Sequence, residues 1–237
     1  QGVTVDDLAD FTPEIRARAL EAVKPFKIGP LFTPPSLQGT LQQPGVAGGG
    51  NWSGAAVDPE TGMLYVPSKQ GMSVTGLAAP GPDRKANLRY IQVPPKTPNM
   101  RGSVPLLKPP YSRLTAVNMN TGDHVWMTPA GNGDRIRNLP ELKPLNLPPV
   151  GGDHSSAGPV LTKTLLIYPL TAGGSTGGPR LVAYDKATGK EVASVDLPGA
   201  PVGTPMTYMT DGKQYIALTV DTRAPNQVPE LIAFTLP

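Results

Sequence analysis

From Leu31 onward, most of the chain consists of short runs in which apolar and polar residues alternate, separated by turn residues. Two such runs are Met63-Leu64-Tyr65-Val66 and His124-Val125-Trp126-Met127. Alternation with a period of two sends successive side chains to opposite faces of a strand, so these runs indicate half-buried β-strands. The sequence therefore predicts an all-β fold beyond Pro30.

The amino-terminal segment has a different pattern. Its apolar residues recur at helical spacing, at Leu8, Phe11, Ile15, Leu20 and Val23. Thr12 is a good N-cap, and Pro13 suits the first helical position because its missing N–H is not needed there. Pro25 ends the pattern. We therefore predict one helix, from Pro13 to Val23, lying on the surface of a β-core.

A short cassette occurs three times with the pattern Ala-x-Asp/Asn-x-x-Thr-Gly. The copies span residues 56–62, 116–122 and 183–189, separated by 60 and 67 residues. The Asp or Asn side chain can bond the backbone that follows it, and Gly readily adopts the positive φ that closes a hairpin. The cassettes predict three hairpin turns within a repeat architecture.

The predicted hairpins group into four-stranded units. Strands within 54–67 and 113–127 form the first unit, and strands within 158–170 and 180–195 form the second. The third has only three strands, within 206–220 and 230–236, around the hairpin signal Asp211-Gly212. Repeated four-stranded units are typical of propeller blades. About three blades cannot close a ring, and Gln1 is not a natural start, so we expect a substantial upstream portion to be missing.

Two segments interrupt this pattern. Residues 69–112 are rich in Pro, Gly and charge without periodicity, and residues 129–153 are a second Pro-rich excursion. We interpret the first as a long insertion, a kind of segment that is often functional or interfacial. The predicted organisation is a helical lead-in over residues 1–30, followed by the blades over residues 31–237.

Composition narrows the possible functions. The net charge is +3 with scattered Lys and Arg, so no basic stripe for nucleic acid is present. No run approaches the roughly 20 apolar residues of a membrane span. The chain has no Cys, which excludes disulfides, Cys-ligated zinc and covalent haem of the Cys-x-x-Cys-His type.

Several motifs, taken in order, resemble the quinoprotein dehydrogenases, which use pyrroloquinoline quinone (PQQ), and the sugar dehydrogenase branch in particular. The motifs are Leu31-Phe32-Thr33-Pro34-Pro35-Ser36-Leu37-Gln38-Gly39-Thr40-Leu41, Gly48-Gly49-Gly50-Asn51-Trp52-Ser53-Gly54, Leu114 to Trp126, Gly203-Thr204-Pro205-Met206-Thr207-Tyr208 and Leu231-Ile232-Ala233-Phe234. The resemblance implies an eight-bladed propeller with PQQ on its axis and calcium beside it. This chain would be the C-terminal part.

The resemblance also implies a function. The complete protein would be a periplasmic PQQ-dependent dehydrogenase, soluble or membrane-associated, that oxidises a sugar or alcohol and passes electrons to a quinone or cytochrome. The general base and most calcium ligands would lie upstream, so no catalytic or metal-ligating residue is assigned to this chain, which we expect to be inactive alone. Its main partner would be the missing N-terminal portion of the same propeller. The alternative is a non-catalytic propeller scaffold of the outer-membrane assembly type.

The resemblance assigns Asn51 to the cofactor, because its neutral amide can donate to a quinone oxygen as negative charge builds there. Trp52 would lie at the cofactor's edge. The alternatives are a turn-capping role for Asn51 and core packing between blades for Trp52. Trp126 ends a repeat and is expected to dock between blades.

Two further blade entries supply the remaining predicted contacts. His154 follows Gly151-Gly152-Asp153, where it could meet cofactor or substrate; the alternative is an ordinary loop histidine. Gly203 and Thr204 occupy the corresponding place in the last blade, where the alternative is a tight entry turn. Lys69, Arg135 and Arg137 could meet carboxylates but are interpreted as solvated loop charges. Asp58 is interpreted as a turn residue.

Overall fold

The computed structural model describes residues 2–93, 97–222 and 228–235. The strands are β1 (Gly2–Val3), β2 (Gly29–Pro30), β3 (Thr40–Gln42), β4 (Ala56–Asp58), β5 (Met63–Lys69), β6 (Ser73–Ala78), β7 (Ile91–Val93), β8 (Ser112–Asn118), β9 (His124–Pro129), β10 (Val160–Leu161), β11 (Leu165–Leu170), β12 (Arg180–Asp185), β13 (Glu191–Asp196), β14 (Ala200–Thr210), β15 (Lys213–Asp221) and β16 (Glu230–Thr235). The helices are α1 (Pro13–Val23) and the single turn α2 (Asp134–Arg137), with 3-10 turns at Val5–Asp7 and Lys143–Leu145.

The chain divides into two compact units. The first contains residues 1–49, 70–109 and 138–146, and the second contains residues 50–69, 110–137 and 147–237. Residues 31–49 group with the helical lead-in rather than with the blades, because β3 pairs with β6 from within the predicted insertion.

The first unit contains the predicted helix with its predicted ends. The Thr12 hydroxyl accepts a hydrogen bond from the Ile15 N–H at 3.2 Å, and Pro13 is the first helical residue. Ile15, Ala19 and Val23 form the buried stripe of α1. No helix in the described part of the chain is long and apolar enough to cross a membrane.

The predicted insertion contains regular structure that the sequence pattern did not reveal. β6 pairs with β3 on one side and with β7 on the other, forming a three-stranded sheet in the first unit. Ser73–Ala78 lacks a clear apolar–polar alternation, and its partner β3 lies more than thirty residues away. A short strand with a glycine inside it and a non-local partner leaves little trace in the periodicity.

The second unit contains three antiparallel sheets. Their strand orders are β4-β5-β8-β9, β10-β11-β12-β13 and β14-β15-β16. This grouping confirms the predicted blades, including the last one with three strands; of its predicted closing strand, Leu236 lies outside the described residues. The first strand of the middle sheet, β10, lies against both β4 and β14. The three first strands are therefore neighbours, as on the inner side of a propeller.

Alternation along β11 lets the middle sheet bury both of its faces. Leu166, Tyr168 and Leu170 pack into a core cluster with Tyr65 and Leu114 of the first sheet. The residue between two of them, Ile167, faces the opposite way. It packs into a second cluster with Leu218 and Val220 of the third sheet. A strand buried on both faces in this way acts as the centre of a stack of sheets.

The three cassettes form the predicted turns. In the first cassette the Asp58 side chain accepts hydrogen bonds from the Glu60 N–H and the Thr61 hydroxyl. In the second, the Asn118 side chain accepts one from the Asn120 N–H. In the third, the Asp185 side chain accepts from both the N–H and the hydroxyl of Thr188. The closing glycines have φ of 68°, 80° and 71° at Gly62, Gly122 and Gly189. The interpretation of Asp58 as a turn residue is confirmed.

Candidate functional site

Asn51 lies in an exposed turn just before β4. The Trp52 N–H donates to the Asn51 side-chain oxygen at 2.8 Å, and the Gly54 N–H donates to the Asn51 carbonyl at 2.9 Å. Because a backbone N–H only donates, the oxygen of this side chain must face it, which leaves the amide NH₂ as the outward group. The turn-capping role and an outward donor are therefore present together. Within the described structure the NH₂ donates to no protein acceptor.

Trp52 presents its whole indole to solvent, with a relative exposure of 99%. Within this chain, therefore, Trp52 does not pack into a core. An aromatic ring of this size normally buries much of its surface, and an indole left open offers a stacking plane together with one N–H donor.

Trp126, by contrast, docks between two sheets as predicted. Its ring nitrogen donates to the Lys186 carbonyl at 3.1 Å, and its ring lies against the Cα of Gly189. The Tyr65 ring is 5.8 Å away between centroids. The chain therefore uses one of its two tryptophans for packing and leaves the other one free.

The second blade entry is held rigidly on both sides of His154. Asp153 is buried and accepts from the Gly133 N–H at 2.8 Å, while the Ser155 hydroxyl donates to the Pro169 carbonyl at 2.7 Å. His154 itself forms a β-bridge with Leu170, the last residue of β11. A histidine whose neighbours are fixed in this way has a predetermined position, unlike an ordinary loop residue.

The His154 imidazole is partly buried and has one unsatisfied nitrogen. Nδ1 is inaccessible to solvent and has no hydrogen-bond partner among the described residues. Burial lowers the pKa of His154, the charge on Lys69 lowers this pKa further, and Asp153 opposes both. The pKa is below its ordinary value of 6.5, so the ring is neutral at neutral pH. A buried polar atom without a partner is uncommon and marks a place where a ligand group could bind.

The third blade entry meets the first at a glycine. A Cβ on Gly158 would lie 2.3 Å from the Ser53 carbonyl oxygen and 2.6 Å from Thr204 Oγ1. Gly158 lies just before β10. Because it has no side chain, both the segment after Asn51 and the exposed Thr204 can approach it this closely. Gly203 has a φ of 74° and lies inside β14 where the β14–β15 register shifts, so the structure has an irregularity within the strand here and not the tight entry turn that was the alternative.

The structure therefore brings together the regions of Asn51, Trp52 and Thr204 around Gly158, with His154 four residues before that glycine. Sequence reasoning did not assign Gly158 a role in the site. The only local signal is its position directly before Pro159.

The three basic side chains considered as partners for carboxylates, Lys69, Arg135 and Arg137, have different surroundings in the structure. Arg137 is occupied, because Nε donates to the Leu147 carbonyl and Nη1 pairs with Asp134 at 2.9 Å. Arg135 is exposed. Lys69 is not a loop residue, since it ends β5 opposite Ser112, and it is only partly exposed. Among the described residues, no group of three His, Asp or Glu side chains could hold a metal ion.

Comparison with known proteins agrees with this architecture. The family model described as "PQQ: Glucose/ethanol/alcohol dehydrogenase, beta-propeller domain" matches residues 1–216. The chain belongs to this family, and its fold is a quinoprotein β-propeller, as predicted.

Its relatives are considerably longer proteins. The chain is 28% identical to a quinate/shikimate dehydrogenase (quinone) from Acinetobacter baylyi, a match that covers 100% of this chain and 31% of the relative. It is 30% identical to a glycerol dehydrogenase large subunit from Gluconobacter thailandicus, covering 87% and 31% respectively. A quinohemoprotein alcohol dehydrogenase from Pseudomonas putida HK5 is similar in structure, with a TM-score of 0.50 and 17% identity over 77% of this chain and 23% of that one. The chain thus spans about a third of the length of these curated relatives.

Proposed function

We propose that this chain forms the C-terminal sheets of a PQQ-dependent dehydrogenase that oxidises the CH–OH group of a sugar or alcohol. The proposal includes a periplasmic location, soluble or membrane-associated, and transfer of the electrons to a quinone or cytochrome. It rests on membership of the family and on the meeting of the blade entries at Gly158.

The groups at these entries fit the chemistry of PQQ, a flat ortho-quinone with three carboxylates. Asn51 offers a free NH₂ donor, Trp52 a free aromatic plane and His154 a buried nitrogen without a partner. Gly203 and Thr204 add exposed backbone at the register shift of β14 and a hydroxyl close to Gly158. These residues would hold PQQ by hydrogen bonding and stacking. The cofactor supplies a quinone that takes up the two electrons and two protons removed from the CH–OH group.

The role of this chain in that reaction is electrostatic and geometric. Asn51 would hold its amide N–H toward a quinone oxygen of bound PQQ, and a donor already held in place can stabilise negative charge there without reorganisation. The hydrogen bond from the Trp52 backbone N–H to the Asn51 side-chain oxygen fixes the orientation of the Asn51 amide group. His154 is neutral at neutral pH and can take part in a hydrogen bond without adding a charge.

Calcium and the general base are not assigned to this chain. The described residues contain no cluster of the carboxylates that calcium requires, so they do not fit the ion as a site. We propose that these groups are supplied by other parts of the complete enzyme.

The scaffold alternative is disfavoured by the same site. A scaffold that only binds proteins has no use for an outward amide donor at Asn51 and a buried, unpartnered ring nitrogen at His154. The family match is also to dehydrogenase propellers.

The test is reconstitution of the complete enzyme. Apoenzyme is incubated with PQQ and calcium, and dye reduction is followed with glucose, glycerol, ethanol and quinate as substrates. We expect PQQ-dependent reduction with at least one substrate, together with a change in the visible spectrum of the cofactor on binding. The 237-residue chain alone should reduce no dye under the same conditions. Failure of the complete enzyme both to bind PQQ and to reduce dye would refute the proposal.

A further inference from the structure

Lys69 is placed beside the entry segment that carries His154. It is the last residue of β5 and lies opposite Ser112 of β8, so both side chains emerge on one face of the sheet. The Ser112 hydroxyl accepts from the Gly152 N–H at 2.7 Å. A Cβ on Gly151 would lie 2.2 Å from the Ser112 carbonyl oxygen, so this segment rests directly on the strand next to Lys69.

The Lys69 ammonium has no counter-charge within this part of the molecule. It forms no ion pair with any described residue, whereas six other basic side chains do, those of Arg18, Lys24, Lys108, Arg137, Arg180 and Lys186. Asp153 is the acidic residue adjacent to His154, and it is buried with its Oδ2 bonded to the Gly133 N–H. A partly exposed cation beside a neutral imidazole can bind an incoming anion.

The position of Lys69 favours binding of its ammonium to the substrate rather than to the cofactor. The first strands β4, β10 and β14 lie side by side, so their entries line the inner side of the stack, where a cofactor would be held. Lys69 ends the second strand of its sheet and is one strand further out. From that position a flexible Lys side chain can extend toward the part of a substrate that is distant from the reacting carbon.

We propose that Lys69 determines specificity by binding a carboxylate on the substrate, so that the preferred substrates are hydroxy acids rather than neutral alcohols or sugars. This inference rests on the function proposed above and refines its substrate class. The reacting CH–OH group stays at the cofactor, and the carboxylate lies against the Lys69 ammonium.

The experiment compares matched substrates on the complete, PQQ-loaded enzyme. Glycerate is paired with glycerol, and quinate with the neutral ring polyol myo-inositol. We expect a higher kcat/KM for the carboxylated member of each pair. Lys69→Met should raise KM for the acids by about 10- to 100-fold, the range for losing a hydrogen bond to a charged group, with little change in kcat. Lys69→Arg should retain much of the wild-type KM.

Two controls separate this inference from its alternatives. Lys163→Met removes an exposed lysine from the turn between β10 and β11 and should leave every parameter unchanged. The affinity of Lys69→Met apoenzyme for PQQ, measured by titration of the cofactor spectrum, should equal that of the wild type. A weakened PQQ affinity would instead make Lys69 a cofactor-binding residue and overturn the inference.

Binding without turnover makes the test independent of activity. Calorimetry should detect glycerate or quinate binding to wild-type enzyme and a weaker affinity in Lys69→Met. If the enzyme oxidises neutral alcohols but Lys69→Met changes neither KM nor binding of the acids, the inference fails while the dehydrogenase proposal stands. If no substrate is oxidised, the proposed function fails, and loss of acid binding in Lys69→Met still decides the role of this residue.

Discussion

The Lys186 ammonium lies 2.7 Å from Oδ2 of Asp58, and both side chains are largely shielded from solvent. Asp58 belongs to the first cassette and Lys186 to the third, so this ion pair joins neighbouring sheets. The Lys186 carbonyl accepts from the Trp126 ring, which follows the second cassette. Lys186 therefore connects the hairpins of all three copies, and the cassette residues hold neighbouring sheets together.

The Asp58–Lys186 pair should give the protein a defined dependence on pH. The hydrogen bond from Lys186, followed by that from Thr61, lowers the pKa of Asp58 from 3.8 to about 2. A carboxyl whose pKa is depressed in the folded state stabilises it above the unfolded pKa, and this contribution is lost as pH falls through the folded pKa. Asp58→Asn should therefore be less stable than wild type at pH 5–8, and the difference should vanish between about pH 4 and about pH 2.

The pKa of Lys186 predicts where stabilisation by the ion pair is lost at high pH. Asp58 raises the pKa of Lys186 above 10.5, so the contribution of Lys186 is present below 10.5 and is lost only as pH rises through the higher folded value. Urea denaturation midpoints of wild type, Asp58→Asn and Lys186→Met across pH measure both limits. A stability difference that persists unchanged at pH 2 would show that the ion pair is not its source.

Two of the cassette glycines, Gly122 and Gly189, should respond differently to alanine. A Cβ on Gly189 would lie 2.5 Å from the Trp126 ring, whereas a Cβ on Gly122 meets nothing within 4 Å. Both have a positive φ, which costs a residue with a Cβ about 1–2 kcal/mol. We expect that loss alone for Gly122→Ala, and a further loss of about 1–3 kcal/mol for Gly189→Ala from overpacking.

Urea denaturation of the two alanine variants measures this difference, with Gly122→Ala as the matched control. Adding Trp126→Leu to Gly189→Ala should recover the overpacking part but not the backbone part. Equal losses at the two glycines would mean that Trp126 does not press on Gly189 in solution.

Asn51→Ala should slow turnover of the complete enzyme by about 10- to 1000-fold, as loss of one oxyanion donor does. The residue is exposed, so the free energy of unfolding should change by less than about 0.5 kcal/mol. Asn87→Ala, at another exposed loop asparagine, is the control for turnover and stability. Wild-type turnover and PQQ affinity in Asn51→Ala would leave only the turn-capping role for this side chain.

Trp52→Ala should weaken PQQ binding without affecting the fold. An aromatic contact of this kind contributes about 0.5–1.5 kcal/mol beyond burial, which corresponds to roughly a 2- to 10-fold weaker affinity. Because Trp52 is almost fully exposed, denaturation midpoints should not move, in contrast to Trp126→Ala. Titration of apoenzyme with PQQ tests this, with Trp52→Phe expected to retain most of the affinity. Unchanged PQQ affinity in Trp52→Ala would exclude stacking by this ring.

The open face of the last sheet should make the 237-residue chain self-associate when it is prepared alone. Val202, Met206 and Leu231 share the face opposite to Leu218 and Val220 and are 46%, 53% and 69% exposed. We expect another sheet of the complete propeller to cover this face, since exposed apolar sheet faces favour association. Light scattering should show oligomers. Val202→Thr with Met206→Gln and Leu231→Thr should reduce them, whereas Leu37→Thr, at an exposed residue of the first unit, should not. A monodisperse, stable monomer would contradict this expectation.

Local chemistry explains why much of the fold could be predicted. The N-cap at Thr12, the self-bonding side chains of Asp58 and Asp185, and the positive φ of Gly62 all depend on residues within four positions of one another. Alternation along the strands then indicates which hairpins exist, and consecutive hairpins pair. These features are determined by the sequence because backbone hydrogen bonds and sterics act over short separations.

Contacts between distant residues were decided only by the tertiary structure. Asp58 and Lys186 are 128 residues apart, and either could equally have been a solvated charge. Gly158 meets Ser53 and Thr204 because three first strands pack side by side. Lys69 lies near the entry segment because its register partner Ser112 accepts a hydrogen bond from the Gly152 N–H. Such contacts follow from how whole sheets stack to bury their apolar faces, which depends on all the strands together rather than on any one segment.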